Sequence, residues 1–222
     1  MINVHISNPE KDCAVIIFHG LFMSSSVMKR MARFFSNRGY TVYNVTYKSR
    51  DISVEHIIDT IKPIFNQHLV VHAIGHSLGG LIIRHMFERT KPTHMGCVFT
   101  VGTPHKGASI AKYFYNSVFR WVLGNAPNHG LLDTLEPHWK HKQPMYNVIG
   151  TKHIGPLTLL PPLKGMKGDG TVLIEEAMLD GVKETKYFNV SHTLLIYSTR
   201  VFRYIFIKMK KEEKEILSTL IS

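Results

Sequence analysis

The feature that most constrains the fold of this chain is a serine set among glycines, in the segment GHSLGG at residues 75–80. It directly follows an apolar run at residues 69–74, which predicts a buried strand, and it precedes a predicted helix at residues 81–89. So short a turn between a strand and a helix strains its central residue and exposes the Ser77 hydroxyl, while glycine lets the two elements approach closely. The sequence therefore predicts that Ser77 is a nucleophile.

Apolar runs alternate with amphipathic segments along the rest of the chain. Strand-like runs lie at residues 14–18, 41–47, 97–101, 145–149 and 186–190, and residues 2–6 offer one more. Segments with helical spacing lie at residues 27–37, 54–65 and 174–179. This alternation predicts an α/β fold, with a reduced, mostly parallel sheet of about six or seven strands and helices on both faces. Active groups gather at the carboxyl ends of the strands in such sheets.

The chain has 222 residues and shows neither a repeat nor a linker, so we expect a single domain over residues 1–222. Its longest segment between predicted strands, residues 105–144, is a candidate lid or cap. An apolar stripe at helical spacing within it is formed by Ile110, Phe114, Val118, Trp121 and Val122. The stripe could belong to a lid helix, but amphipathic helices more often pack such a stripe on the core, and we favour that interpretation.

The C-terminal segment, residues 199–222, predicts another amphipathic helix. Its apolar face is followed by a cluster of lysines, and the residues concerned are Val201, Phe202, Ile205, Met209, Lys210, Lys211 and Lys214. A basic amphipathic helix can lie on a membrane surface. The commoner role of a last helix is to cover the sheet, and that is the expectation here.

Composition and charge limit the partners. A hydrophobic content of 44% and a charged content of 19% indicate a folded globular protein. The net charge of +11 would favour anionic lipid, but without a motif of interleaved aromatic and basic residues a nucleic-acid partner is disfavoured. Cys13 and Cys97 are not spaced as a metal or redox pair, and we expect both to be buried, reduced thiols. With no secretory signal pattern at the N-terminus, we expect a cytoplasmic protein, with peripheral membrane contact as an option.

Five motifs together give the sequence a resemblance to the α/β-hydrolase superfamily, and within it to small lipases and esterases. They are FHGLF at residues 18–22, GHSLGG at 75–80, VGTPHKG at 101–107, GDGTV at 168–172 and VSHTLL at 190–195. The resemblance extends over most of the chain. It implies a fold with a mostly parallel sheet, and hydrolysis of esters, thioesters or amides, or acyl transfer, without a cofactor.

The order of the triad in that superfamily is serine, then an acid, then histidine. By this resemblance the acid is Asp169, which lies between two glycines in the long loop after the run at residues 145–149. The base is His192, which follows the last predicted strand. Three other acidic residues lie between the same strands: Asp180 in a predicted turn, and Glu175 and Glu176 as an exposed helical pair.

An oxyanion hole needs two backbone N–H groups. The resemblance assigns them to Leu78, directly after the nucleophile, and to Leu21, in the loop after the first central strand. Phe22 is the rival of Leu21, because a shift by one residue would move the role. The motif uses His19 to shape the loop and not as a base.

The sequence thus predicts a serine hydrolase that cleaves carboxylic esters through Ser77, Asp169 and His192 and an acyl-enzyme, with a small-molecule acyl ester as substrate. An acyltransferase or thioesterase with the same triad is the alternative, and a binding protein on a hydrolase scaffold is a weaker one. The four-residue spacing of His68, His72 and His76 would suit metal ligands on a helix. A strand is predicted there, so we expect no metal and no cofactor.

Overall fold

Seven strands form one sheet in the computed structural model, which describes residues 2–7, 12–90, 92, 95–118, 120–132, 136, 138–160 and 165–221. The strands are β1 (Asn3–Ser7), β2 (Cys13–Phe18), β3 (Thr41–Thr46), β4 (Val70–His76), β5 (Met95–Val101), β6 (Met145–Gly150) and β7 (Glu184–Phe188). Their order in the sheet is β1-β3-β2-β4-β5-β6-β7. Strand β1 pairs antiparallel with β3, and every other pairing is parallel. The predicted α/β class and strand number are confirmed.

Helices lie on both faces of the sheet. They are α1 (Ser25–Ser36), α2 (Val54–Ile61), α3 (Leu78–Arg89), α4 (Ser109–Tyr115), α5 (Ile174–Ala177), α6 (His192–Leu195) and α7 (Thr199–Ile221). Short 3-10 helices occupy Lys62–Asn66, Arg120–Leu123, Ala126–His129 and Pro156–Leu159. The helix predicted over residues 54–65 becomes two elements because Pro63, the second residue of the 3-10 helix, has no N–H to continue the α-helical hydrogen bonds.

Two apolar layers hold the sheet. Helices α2, α3 and α4 pack on one face, and helices α1 and α7 pack on the other. The apolar side of α7 is fully buried at Val201, Ile205 and Met209, so the C-terminal helix covers the sheet as expected. No helix of the described residues is long and apolar enough to cross a bilayer. Cys97 is buried, whereas Cys13 is only half-buried, contrary to expectation, because it begins β2 at the amino edge of the sheet.

The apolar stripe predicted within residues 105–144 does not lie on one continuous helix. Helix α4 ends at Tyr115, and the Ser117 hydroxyl then donates to the Phe114 carbonyl at 2.7 Å, which competes with the next helical turn. Ile110 and Phe114 pack against the core, but Val118 and Trp121 are 84% and 68% exposed. The core-facing interpretation is therefore correct for the first half of the stripe and wrong for the second.

A buried polar cluster joins α7 to the sheet. The Cys97 N–H donates to His72 Nδ1 at 3.1 Å, so His72 donates from Nε2 to Glu213, also at 3.1 Å. Lys210 and the Tyr40 hydroxyl donate to the same carboxylate. Burial alone would raise the pKa of Glu213, but these hydrogen bonds outweigh it and lower that pKa to about 2.

Acid should therefore destabilise the protein through Glu213. Its folded pKa lies below the ordinary value of 4.5, so its contribution is complete above that pH and is lost as the pH falls towards 2. The shift corresponds to a loss of about 3 kcal/mol in the free energy of unfolding. Glu213→Gln should lower this free energy near neutral pH and flatten its decline in acid, as measured by urea unfolding across pH. The control Glu215→Gln, on the exposed side of α7, should keep the wild-type decline, and an equally steep decline in Glu213→Gln would contradict this assignment.

Candidate active site

The turn between β4 and α3 consists of a single residue, Ser77. Its φ of 54° and ψ of −121° lie in a region that side-chain-bearing residues rarely adopt, at a cost of roughly 1–3 kcal/mol. Two backbone hydrogen bonds hold it there: the Ser77 N–H donates to the Val101 carbonyl at 2.9 Å, and the Gly80 N–H donates to the Ser77 carbonyl at 3.0 Å. Strain held in this way at one residue is typical of a functional position.

Two glycines allow the elements to meet at this turn. A Cβ atom on Gly75 would lie 2.5 Å from the Gly80 nitrogen, and one on Gly79 would lie 2.5 Å from the Phe18 carbonyl oxygen. In both cases the obstacle is backbone, which cannot move aside as a flexible side chain could. Only glycine fits at either position, as the sequence predicted for a tight strand–helix turn.

Asp169 and His192 form a buried pair. Asp169 Oδ2 lies 2.7 Å from His192 Nδ1. In addition, the backbone N–H of His192 donates to the backbone carbonyl of Asp169 at 2.9 Å. The other carboxylate oxygen, Oδ1, accepts the N–H groups of Thr171 at 3.0 Å and Val172 at 2.8 Å. The carboxylate is thus fixed, and an ionised carboxylate requires the proton of a neutral His192 to sit on Nδ1. Nε2 is left as the basic nitrogen.

The sheet topology brings this pair and Ser77 together. Ser77 follows β4, Asp169 follows β6 and His192 follows β7, so all three lie at the carboxyl edge of the sheet. Ser77 and His192 line the same cavity. A nucleophile and a base that open onto one cavity, with the base oriented by a carboxylate, can perform acyl transfer.

The rival acids lie elsewhere. Asp180 and Glu175 are both exposed. The backbone carbonyl of Asp180 accepts the backbone N–H of Trp139 at 2.8 Å. The expectation that Glu176 is exposed was wrong. Its carboxylate is buried and accepts the N–H groups of Ser109 at 2.6 Å and Leu173 at 2.9 Å. Glu176 thereby joins the loop that carries Asp169 to the start of α4.

The loop after β2 lies against Ser77. A Cβ atom on Gly20 would come within 3.1 Å of Ser77 Cβ, and Leu21 and Phe22 both line the cavity. The Phe22 N–H already donates to the Ser49 hydroxyl at 3.0 Å, which leaves Leu21 the better candidate for an oxyanion donor. Leu78 begins α3 directly after the serine, so the helix starts three residues before the predicted range of 81–89. Ser49 was not found from the sequence, because nothing local marks a contact over 27 positions.

Two further histidines, His76 and His19, lie close to the site, and burial lowers the pKa of both. His76 is fully buried, donates from Nδ1 to the Val101 carbonyl at 3.0 Å, and its ring centroid lies 4.7 Å from that of His192. Burial, and then the neighbouring His192, hold the pKa of His76 well below its ordinary value. Burial likewise lowers the pKa of His19. The His19 ring stacks on the ring of Tyr47, with 4.0 Å between the two ring centroids.

An apolar cavity of about 370 Å³ opens at Ser77. Apolar side chains dominate its wall, and those contributed by the segment after β5 are Pro104, Ala108, Ile110, Ala111, Phe114, Leu123 and Leu131. The first half of the stripe discussed above is therefore part of the cavity wall. Within the described part of the chain, no group of three or more His, Cys, Asp and Glu side chains is arranged to hold a metal ion.

Several solved structures resemble this fold. A lipase of Bacillus licheniformis, BlEst2 in mature form, has a TM-score of 0.67 and 18% identity, over 93% of this chain and 98% of that one. A monoacylglycerol lipase of Paleococcus ferrophilus has a TM-score of 0.63 and 15% identity, over 96% of this chain and 99% of that one. An esterase of Exiguobacterium antarcticum has a TM-score of 0.65 and 11% identity, over 93% and 94%. At these identities the likeness establishes the α/β-hydrolase fold alone.

The family comparison is more specific. No curated protein matches the chain. The model of the palmitoyl protein thioesterase family, however, matches residues 14–157, which is well over half of the chain. That range includes the loop after β2 and the turn at Ser77, and it ends before Asp169 and His192. The chain belongs to the palmitoyl protein thioesterase family.

Proposed function

We propose that this protein is a serine hydrolase that cleaves acyl esters and acyl thioesters, with Ser77 as nucleophile, His192 as base and Asp169 as its orienting acid. The observation that carries the proposal is the arrangement of a strained Ser77 and a buried Asp169–His192 pair around one apolar cavity. Family membership supports the thioester as a substrate, and the lipase-like fold is compatible with the oxyester predicted from the sequence.

In the proposed mechanism, His192 Nε2 takes the proton of Ser77 as Oγ attacks the acyl carbonyl carbon. Asp169 keeps the Nδ1 proton in place and stabilises the imidazolium that forms. The backbone N–H groups of Leu21 and Leu78 stabilise the oxyanion. His192 then protonates the leaving alcohol or thiol, and water attacks the acyl-enzyme with His192 again as base.

The cavity supports an acyl chain as the group that Ser77 accepts. Its volume is at the lower end of ligand pockets, and its wall offers little beyond dispersion and burial of apolar surface. Ala108 and Ala111 leave room where larger residues would close the space. We therefore expect a preference for chains of intermediate length over acetyl groups.

Hydrolysis of matched p-nitrophenyl esters and acyl thioesters tests the proposal. Both series should release free fatty acid, with kcat/KM rising from acetyl to medium chains by about fourfold per methylene that enters the cavity. Release of free acid, and not transfer to an added alcohol, separates hydrolysis from the acyltransferase alternative. A folded protein that hydrolyses neither series would contradict the proposal.

Ala111→Phe tests whether the cavity holds the chain. The larger side chain should fill the cavity and lower the ratio of medium-chain to acetyl kcat/KM by about tenfold or more, while acetyl ester hydrolysis persists. Lys112→Phe, the next residue of α4 and exposed, is the matched control and should keep the wild-type ratio. An unchanged ratio in Ala111→Phe would place the acyl chain elsewhere.

A further inference from the structure

Exposed apolar side chains are concentrated at the edge of the sheet where the cavity opens. Among the described residues twelve large apolar side chains are exposed, and eight of them follow the carboxyl ends of strands. Those eight are Phe22, Tyr113, Val118, Trp121, Ile154, Leu159, Met166 and Leu194. Exposed apolar groups gathered on one side of a protein indicate an interaction surface.

These residues belong to the segments that build the cavity. Three residues that line the cavity, Leu123, Pro156 and Thr193, lie within three positions of an exposed apolar residue in the sequence. The exposed residues are, in the same order, Trp121, Leu159 and Leu194. Phe22 is both exposed and part of the wall. The exposed apolar groups therefore lie in the segments that line the cavity, and we refer to residues 19–24, 47–53, 102–118, 120–125, 151–160, 165–173 and 189–198 as the rim.

The rim is held in place by polar contacts. Arg50 donates to the Trp121 carbonyl at 3.1 Å, and the adjacent Ser49 accepts the Phe22 N–H. Asn125 exchanges hydrogen bonds with both backbone groups of Ile52, at 2.7 and 2.8 Å. The exposed Trp121 is thus presented on a fixed backbone, although its side chain is 68% exposed.

The charge of the rim is positive. Its described residues include seven exposed basic side chains: Lys48, Arg50, Lys106, Lys112, Arg120, Lys152 and Lys167. The described residues of the rim include two acidic side chains. Asp51 is exposed, whereas Asp169 is buried against His192. Lysine and arginine interspersed with apolar and aromatic side chains are complementary to the interface of an anionic bilayer.

We propose that the rim docks this protein on an anionic lipid bilayer, with the cavity mouth facing the membrane. Docking would place the apolar side chains of Trp121 and Leu159 among the acyl chains and the basic side chains at the headgroups. The surface is not the C-terminal helix considered from the sequence, since the apolar face of α7 is buried against the sheet.

Co-sedimentation with vesicles tests the proposal, and the Ser77→Ala variant is used so that the result does not depend on catalysis. It should bind vesicles of phosphatidylcholine with phosphatidylserine about tenfold or more tightly than phosphatidylcholine alone, and added salt should weaken the binding. Failure to bind the anionic vesicles, or equal binding to both kinds, would overturn the proposal.

Variants in the same background locate the surface. Trp121→Ser with Leu159→Ser should weaken binding by about tenfold or more. The control pair, Ile6→Ser with Ile207→Ser, removes side chains of similar exposure, 55% and 64%, away from the rim and should change binding less than about twofold. Lys112→Glu with Lys152→Glu leaves the apolar groups intact and should weaken binding to the anionic vesicles alone. Equal losses in the rim and control pairs, or full binding by the Lys→Glu pair, would contradict docking through the rim.

Discussion

Replacement of Ser77 by alanine is expected to lower kcat/KM for acyl esters and thioesters by a factor on the order of 10⁴–10⁶. The variant removes the proposed nucleophile and one oxygen atom, and it keeps a Cβ atom at the same strained backbone position. Hydrogen bonds at this turn are made by backbone groups, from Ser77 to Val101 and from Gly80 to Ser77, so they remain. Activity should be lost without loss of the fold.

The matched control for this variant is Thr193→Ala. Thr193 also bears a hydroxyl and lines the cavity but has no proposed chemical role, so removal of this hydroxyl should change kcat/KM by less than about tenfold. Circular dichroism and thermal unfolding of both variants should match the wild type. Residual activity of Ser77→Ala at a tenth of the wild type or more would assign the chemistry to another residue.

Asp169→Asn should have the second largest effect, a loss in kcat/KM of about 10⁴. The asparagine oxygen can still accept the N–H groups of Thr171 and Val172, so the loop keeps its shape. Its amide N–H₂ would face His192 Nδ1, which must then accept a hydrogen bond. The imidazole proton moves to Nε2, and that nitrogen can no longer take the proton of Ser77.

Asp180→Asn is the control for this prediction because Asp180 was the rival acid in the sequence. It is exposed, and the contact it makes with Trp139 uses its backbone carbonyl, so the substitution should leave kcat/KM unchanged. Steady-state measurement of kcat/KM for the two variants decides which of the two carboxylates orients His192. A large loss in Asp180→Asn, with near-normal activity in Asp169→Asn, would reverse the assignment.

Features that are local in the chain could be predicted from the sequence. The strand–turn–helix around Ser77 depends on adjacent apolar residues and on two glycines, and the structure has that turn. The triad order that the resemblance implies, together with the predicted strands, selected Asp169 and His192. The structure brings Asp169 Oδ2 to 2.7 Å from His192 Nδ1, although 23 positions separate the two residues. Their chemical roles, and that of Leu21, remain predictions.

Features that depend on distant contacts could not be predicted. Glu176 looked like an exposed helical residue, but its carboxylate is buried by the N-terminus of α4, 67 positions earlier in the chain. The stripe through Val118 and Trp121 kept helical spacing, yet the Ser117 hydroxyl competes with the helix and the chain turns outward. Hydrophobic spacing alone does not distinguish a buried side chain from one exposed at the rim of a cavity.

Labelling with a fluorophosphonate, followed by mass spectrometry of the tryptic peptides, tests the role of Ser77 most directly. An activated serine reacts with such a probe, whereas an ordinary exposed hydroxyl does not. We predict a single adduct on Ser77 in the wild type, none in Ser77→Ala, and greatly slowed labelling in Asp169→Asn. A folded wild-type protein that stays unlabelled, or that carries the adduct on another residue, would contradict the assignment of Ser77 as the nucleophile.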